Sequence, residues 1–253
     1  MKKIFLLLAA TTYLVSCNKD KKDENFFVGP EVSVHHGKAW SWIQLEKNGA
    51  PAQLGLTINQ AALNTVPTGD EHPGHGHEHE DNFIVPMHEK ARTNSPFKFI
   101  MLNWNRNGHE PAGTYDVPHF DMHFYMTELN DVLNYTDPAK LDADPAAGYI
   151  PANHVGVHPL PQMGKHWIDV TSPELSGAPF TQTFIYGSYD SKVVFYEPMI
   201  TLDFLKNTTS FERPLPQPTK FEKAGYYPTK MKVVKQNGAT NIILDGFIYR
   251  QAS

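Results

Sequence analysis

The chain has 253 residues, with 22 Lys and Arg against 27 Asp and Glu and a formal charge of −5. A mean hydropathy of −0.43 argues against a polytopic membrane protein, and the acidic balance leaves no basic footprint for nucleic acid. Twenty Pro, 17 Gly and 12% aromatic residues disfavour a bundle of long helices and point to short strands and many turns, while 13 His is high for this length.

In chain order, Lys2 and Lys3 precede the apolar run Ile4–Leu8, which continues to Ala10 and is too short to span a bilayer. Residues 1–16 therefore read as a secretory leader. The leader ends in Leu14-Val15-Ser16-Cys17, which resembles the bacterial lipobox. Cys17 is the only cysteine, so an internal disulfide and a thiolate metal site are both excluded. The expectation is a lipoprotein acylated (palmitate or its like) on Cys17 and held in the outer membrane or cell envelope, facing the periplasm or the surface. Each methylene of an acyl chain contributes about 0.8 kcal/mol to that anchor. Residues 17–25 are charged and lack apolar side chains beyond Cys17, as a flexible tether would.

Residues 26–253 read as a single mainly β domain, an antiparallel β-sandwich or a cupin-like barrel with a few short helices. Residues 39–45 and 53–58 are predicted strands, followed by a helical turn over 59–63. Residues 68–82 form a polar insertion in which His72, His75, His77 and His79 stand among five acids. Such a tract takes Zn, Ni or Cu through neutral imidazole, and its binding fades as the rings protonate below about pH 6.5. Residues 97–104 read as a buried central strand, 119–126 as another and 127–133 as a short helix. Residues 136–163 are rich in proline without a period and read as a long loop. Residues 180–186 and 192–196 are expected to pair around Gly187-Ser188-Tyr189-Asp190. Residues 207–228 read as irregular, and 231–234 and 242–249 as a hairpin across Gln236-Asn237-Gly238.

The chemistry concentrates on the strand at 119–126. Side chains of a strand alternate, so Phe120, Met122, Phe124 and Met126 share one face, while His119, Asp121, His123 and Tyr125 share the other. The second set carries nitrogen and oxygen donors of the kind that zinc or iron takes, ahead of manganese, nickel or copper. Same-face neighbours lie about 6.6 Å apart and His119 and His123 roughly 13 Å, so both rings can barely converge on one ion. Other elements must then add ligands. His166 follows a Gly turn, and Glu197 shares a strand face with Val193 and Phe195, where a carboxylate needs a cation or a donor network. The candidate metal set is thus His119, Asp121, His123, His166 and Glu197. His109, Glu110 and Tyr125 are candidates for orienting ligands or exchanging protons.

The segments Gly113–Tyr125, Met163–Trp167, Tyr186–Asp190 and Phe195–Met199 resemble a bacterial extracytoplasmic family catalogued as a domain of unknown function. Gly37–Trp42, Gly55–Ile58 and Gly225–Pro228 fit the same pattern, so the similarity runs over roughly residues 30–250. It implies a β-rich fold and an extracytoplasmic role, and no activity. A looser similarity is to cupins, in Gly113 leading to His119 and the Pro/Gly turn leading to His166. Where a cupin motif has His-x-His, this chain has His119-x-Asp121-x-His123.

Three functions follow from these residues. The first is a metal-binding lipoprotein of the envelope, acting in metal capture, buffering or stress response. The second is a mononuclear metalloenzyme, a hydrolase or oxygenase. The third is a structural lipoprotein whose polar strand face is a hydrogen-bond network or a homo-oligomer interface. No Ser-His-Asp order or nucleophile elbow is evident, which leaves a serine hydrolase without support.

Overall fold

Alternating side chains along the strands build two seven-stranded sheets, each antiparallel at every pairing. A computed structural model describes residues 24–68, 81–157 and 159–253. The strands are β1 (Phe26–Val28), β2 (Val32–Val34), β3 (Gly37–Leu45), β4 (Pro51–Asn59), β5 (Asn82–Pro86), β6 (Phe99–Asn105), β7 (His119–Tyr125) and β8 (His154–Gly156). They continue as β9 (Lys165–Asp169), β10 (Gln182–Tyr189), β11 (Lys192–Thr201), β12 (Ser210–Pro214), β13 (Gly225–Tyr227), β14 (Lys230–Gln236), β15 (Ala239–Asp245) and β16 (Ile248–Arg250). One sheet runs β1-β3-β4-β15-β14-β12, with β2 also on β3; the other runs β5-β6-β7-β11-β10-β9-β8. The ribbon β13-β16 stands apart.

The fold is the sandwich form of the expected class. Neither sheet closes on itself among the described residues, so the cupin-like barrel alternative gives way to two open sheets. Leu54, Leu56 and Ile58 of β4 share one buried cluster with Ile100 and Leu102 of β6 and with Phe120, Met122 and Phe124 of β7. Burying side chains of this size contributes about 1.5–3 kcal/mol each, which fixes the face that β7 turns inward. The opposite face of β7 is buried as well, beneath connecting segments rather than a third sheet.

The short helices fall where local chemistry caps them. α1 (Gln60–Thr65) starts at Asn59, whose Oδ1 accepts from the Ala62 N–H at 2.9 Å. The β14–β15 hairpin turns on Asn237 and Gly238, both at positive φ as a type I′ turn requires. The β10–β11 hairpin turns later than expected, at Asp190 and Ser191, also at positive φ, so the strands run on through Gly187 and Ser188. The proline-rich segments expected to be irregular contribute β8, β12, β13 and a short helix (Pro138–Asp142). No helix among the described residues is long and apolar enough to cross a membrane.

Gly187 permits the tightest packing beside β11. A Cβ there would lie 1.9 Å from the Phe195 ring, which itself packs on His123 and His166. Gly187→Ala is expected to cost about 1–3 kcal/mol through overpacking, read as a lower urea midpoint with an unchanged slope.

Candidate metal centres

The outward face of β7 presents His119, Asp121, His123 and Tyr125 in a row. On one side β6 sets Asn105, Asn103 and Met101 opposite His119, Asp121 and His123. On the other side β11 sets Thr201 and Met199 opposite His119 and Asp121. Glu197 comes two residues before Met199 and so reaches His123. Beyond β11, Gly187 of β10 stands between Phe195 and His166 of β9, and the absent side chain leaves the space that the Phe195 ring fills, with the His166 ring packed beside it. The five ligands expected from the sequence do not meet as one cage. They divide into two trios, His109/His119/Asp121 and His123/His166/Glu197, each with its donor atoms within 4.8 Å of one another.

The outer trio draws its third member from the loop between β6 and β7. Gly108, at φ +71, brings that loop back on itself; a Cβ there would lie 2.0 Å from the Tyr115 carbonyl. The His109 N–H donates to the same carbonyl at 3.2 Å. His109 Nδ1 lies 2.7 Å from the Glu110 carbonyl and His119 Nδ1 2.6 Å from the Val117 carbonyl. Those carbonyls can only accept, so each Nδ1 carries the proton and each Nε2 is turned toward Asp121. His109 Nε2 is 3.1 Å from Asp121 Oδ2, which also accepts from Asn105 Nδ2 at 2.7 Å. His119 Nε2 is 3.1 Å from Asp121 Oδ1, yet neither atom makes a hydrogen bond.

Charge follows this geometry. Burial works against the imidazolium of His109, but the bond and charge of Asp121 outweigh it and raise the pKa. Burial also works to raise Asp121, but His119 and His109 outweigh it and hold the carboxyl well below the usual range. An ionised carboxylate with one orphaned oxygen beside an orphaned imidazole nitrogen is a cation site by its chemistry.

The inner trio is drier. Glu197 Oε1 lies 3.4 Å from His123 Nε2, Oε2 lies 3.6 Å from His166 Nε2, and the two Nε2 atoms are 3.4 Å apart. Ligands held about 2.1 Å from a tetrahedral ion sit about 3.4 Å from one another; the two rings stand at that spacing, and Glu197 comes close to it on each ring through a different oxygen. A proton shared between the rings would satisfy one contact, but Glu197 Oε2 still has no hydrogen-bond partner. Burial drives all three residues to neutrality. It lowers His123 to about 4 and, with His123 adding to the effect, His166 to about 3. It also raises Glu197 well above the usual carboxylate range, with Asp121 pushing the same way.

The remaining candidates have other engagements. The Tyr125 hydroxyl donates to the Met163 carbonyl at 3.1 Å, and its ring stacks on His123 with centroids 5.8 Å apart. Glu110 Oε2 accepts from the Ala112 N–H at 2.7 Å, shaping the loop, while its carbonyl orients His109. Cys17 and the loop histidines His72, His75, His77 and His79 lie outside the described residues. Asn105 carries no signal of its own in the sequence; only its place opposite His119 across the strand pair reveals it. Phe180 and Tyr115, which wall the outer trio at 5.4 Å from His119 and 5.9 Å from His109, come from loops that carry no periodic signal.

The molecule is therefore an antiparallel β-sandwich that carries, among the described residues, two His–His–carboxylate groups, one buried and one with an exposed member, each able to hold a metal ion. No protein family, curated protein or solved structure matches the chain.

Proposed function

We propose that this chain is a lipid-anchored envelope protein that holds a divalent transition metal in the inner trio and serves in metal capture or buffering. One observation carries the metal reading. Three buried donors from β7, β9 and β11 stand at the spacing of a coordination shell, with a carboxylate oxygen left unpartnered. Two imidazoles and one carboxylate suit zinc or iron(II) better than harder or softer ions. A purely structural network would satisfy these atoms with protein hydrogen bonds, whereas this arrangement leaves Glu197 Oε2 without one and meets Asp121 Oδ1 and His119 Nε2 only with each other, as a 3.1 Å charge contact.

A cavity of about 600 Å³ lies elsewhere, lined by Tyr135, Tyr189, Tyr226, Lys98 and Glu222 among others, and by no member of either trio. That cavity therefore supplies no substrate site for the metalloenzyme alternative. The envelope anchor rests on the leader and Cys17.

Elemental analysis of the full chain purified without a His tag tests the reading. About one zinc or iron per chain is expected to survive Gln substitution of His72, His75, His77 and His79, and to be lost in His166→Ala. Metal content that follows the loop substitutions and ignores His166→Ala would contradict it.

A further inference from the structure

Resting on the reading of the inner trio as a metal site, we propose that the outer trio is its entry site, through which a divalent ion passes by ligand exchange. The inner trio offers almost no donor to solvent: His123 and Glu197 are each 1% exposed, and His166 9%. Its surroundings are apolar, with Phe195 and Tyr125 on one flank and Ile185 and Met199 on the other. A hydrated dication cannot cross such walls without shedding its water, a cost of many kcal/mol unless protein ligands replace the water step by step.

The outer trio supplies those steps. The His109 side chain is 37% exposed and sits on a loop, whereas His119 is fully buried and Asp121 nearly so. Solvent access is thus concentrated at His109, and the donors behind it, His119, Asp121 and His123, are all buried. Asp121 and His123 are same-face neighbours on β7, about 6.6 Å apart, a distance that side-chain rotation around one moving ion can bridge. The donors without hydrogen bonds mark the same path: His119 Nε2 and Asp121 Oδ1 in the outer trio, then Glu197 Oε2 in the inner one. An ion can therefore exchange water for His109, His119 and Asp121, and then exchange these for His123, His166 and Glu197. No bond other than metal–ligand bonds forms or breaks, except that the proton His109 Nε2 directs at Asp121 leaves to water on entry and returns when the ion moves on, and the Glu197 proton leaves to water as the ion arrives.

Stopped-flow addition of Co²⁺ tests this in the full chain carrying Gln at positions 72, 75, 77 and 79, so that the loop takes no part. The inner ion is read from the visible absorption that His166→Ala abolishes. His109→Ala is expected to slow its appearance at least tenfold while leaving final amplitude and affinity unchanged, and His109→Asp, which keeps a donor, is expected to restore fast loading. An unchanged rate in His109→Ala would overturn the proposal, since the sites would then fill independently. Loss of the final amplitude in a His109→Ala protein with wild-type near-ultraviolet circular dichroism would also overturn it, since the trios would then be one centre. Absence of any His166-dependent absorption would overturn the underlying reading, and the entry proposal with it.

Discussion

Glu197→Gln is expected to abolish metal-induced stabilisation while leaving the metal-free protein as stable as before, or more so. Burial pushes Glu197 toward its protonated form in the empty site, so a neutral amide of the same shape stands in for the acid that the dry surroundings favour. Only the loaded state needs the charge. An ion present at a hundredfold excess over its dissociation constant stabilises the folded chain by about 2.7 kcal/mol. For a domain of this size that corresponds to roughly 5–10 °C in Tm. Thermal melts with and without zinc, on the wild type and on Glu197→Gln, read this difference. The same upward shift in both proteins would remove Glu197 from the site.

Acid is expected to act on the inner trio twice. His123 and His166 titrate near 6.5 in an unfolded chain but only near 4 and 3 in the fold. Between pH 6.5 and those values the unfolded state binds protons that the folded state refuses, so stability falls as pH falls. A tenfold change in proton affinity is worth about 1.4 kcal/mol, so each ring accounts for roughly 3–5 kcal/mol across that window. Glu197 works in the opposite sense. Its raised pKa favours the fold below the ordinary carboxylate value, and that contribution is lost as pH rises through the folded value. Asp121 resembles the histidines in direction: its depressed pKa stabilises the fold above the ordinary value and ceases to do so as pH falls through the folded one.

Metal binding couples to the same protons. An ion entering the inner trio meets two neutral rings and must displace the Glu197 proton, so affinity drops about tenfold per pH unit on acidification. Titration calorimetry in two buffers of different ionisation enthalpy is expected to show one proton released per inner ion near neutral pH. Release of none would mean that the carboxylate is already ionised, against its dry surroundings.

Much of this site is legible without the fold, because a strand's two-residue period needs no tertiary information. The unbroken alternation from His119 to Tyr125 separates core from chemistry, and the structure keeps that division. The separation of roughly 13 Å between His119 and His123 argues against a shared ion, and the two rings do fall in different trios. The pairing of partners is not legible, because it depends on sheet order. β11 and not β9 adjoins β7, so Glu197 reaches His123 directly, while His166 reaches it from two strands beyond β11, beside the Phe195 ring that fills the space over Gly187. His109 has the weakest local signal, since a residue in a Gly/Pro loop acquires a direction only from the turn at Gly108. β5, β8, β12 and β13 escape for a related reason. They are short edge or ribbon strands, most of them among prolines, and alternation over so few residues carries little signal.

Anomalous diffraction at the zinc edge, from crystals of the full chain grown with zinc, tests the central claim most directly. A peak is expected about 2.0–2.2 Å from His123 Nε2, His166 Nε2 and a Glu197 oxygen. Zinc found only on the loop histidines, with the inner rings linked by a proton and Glu197 uncoordinated, would contradict it.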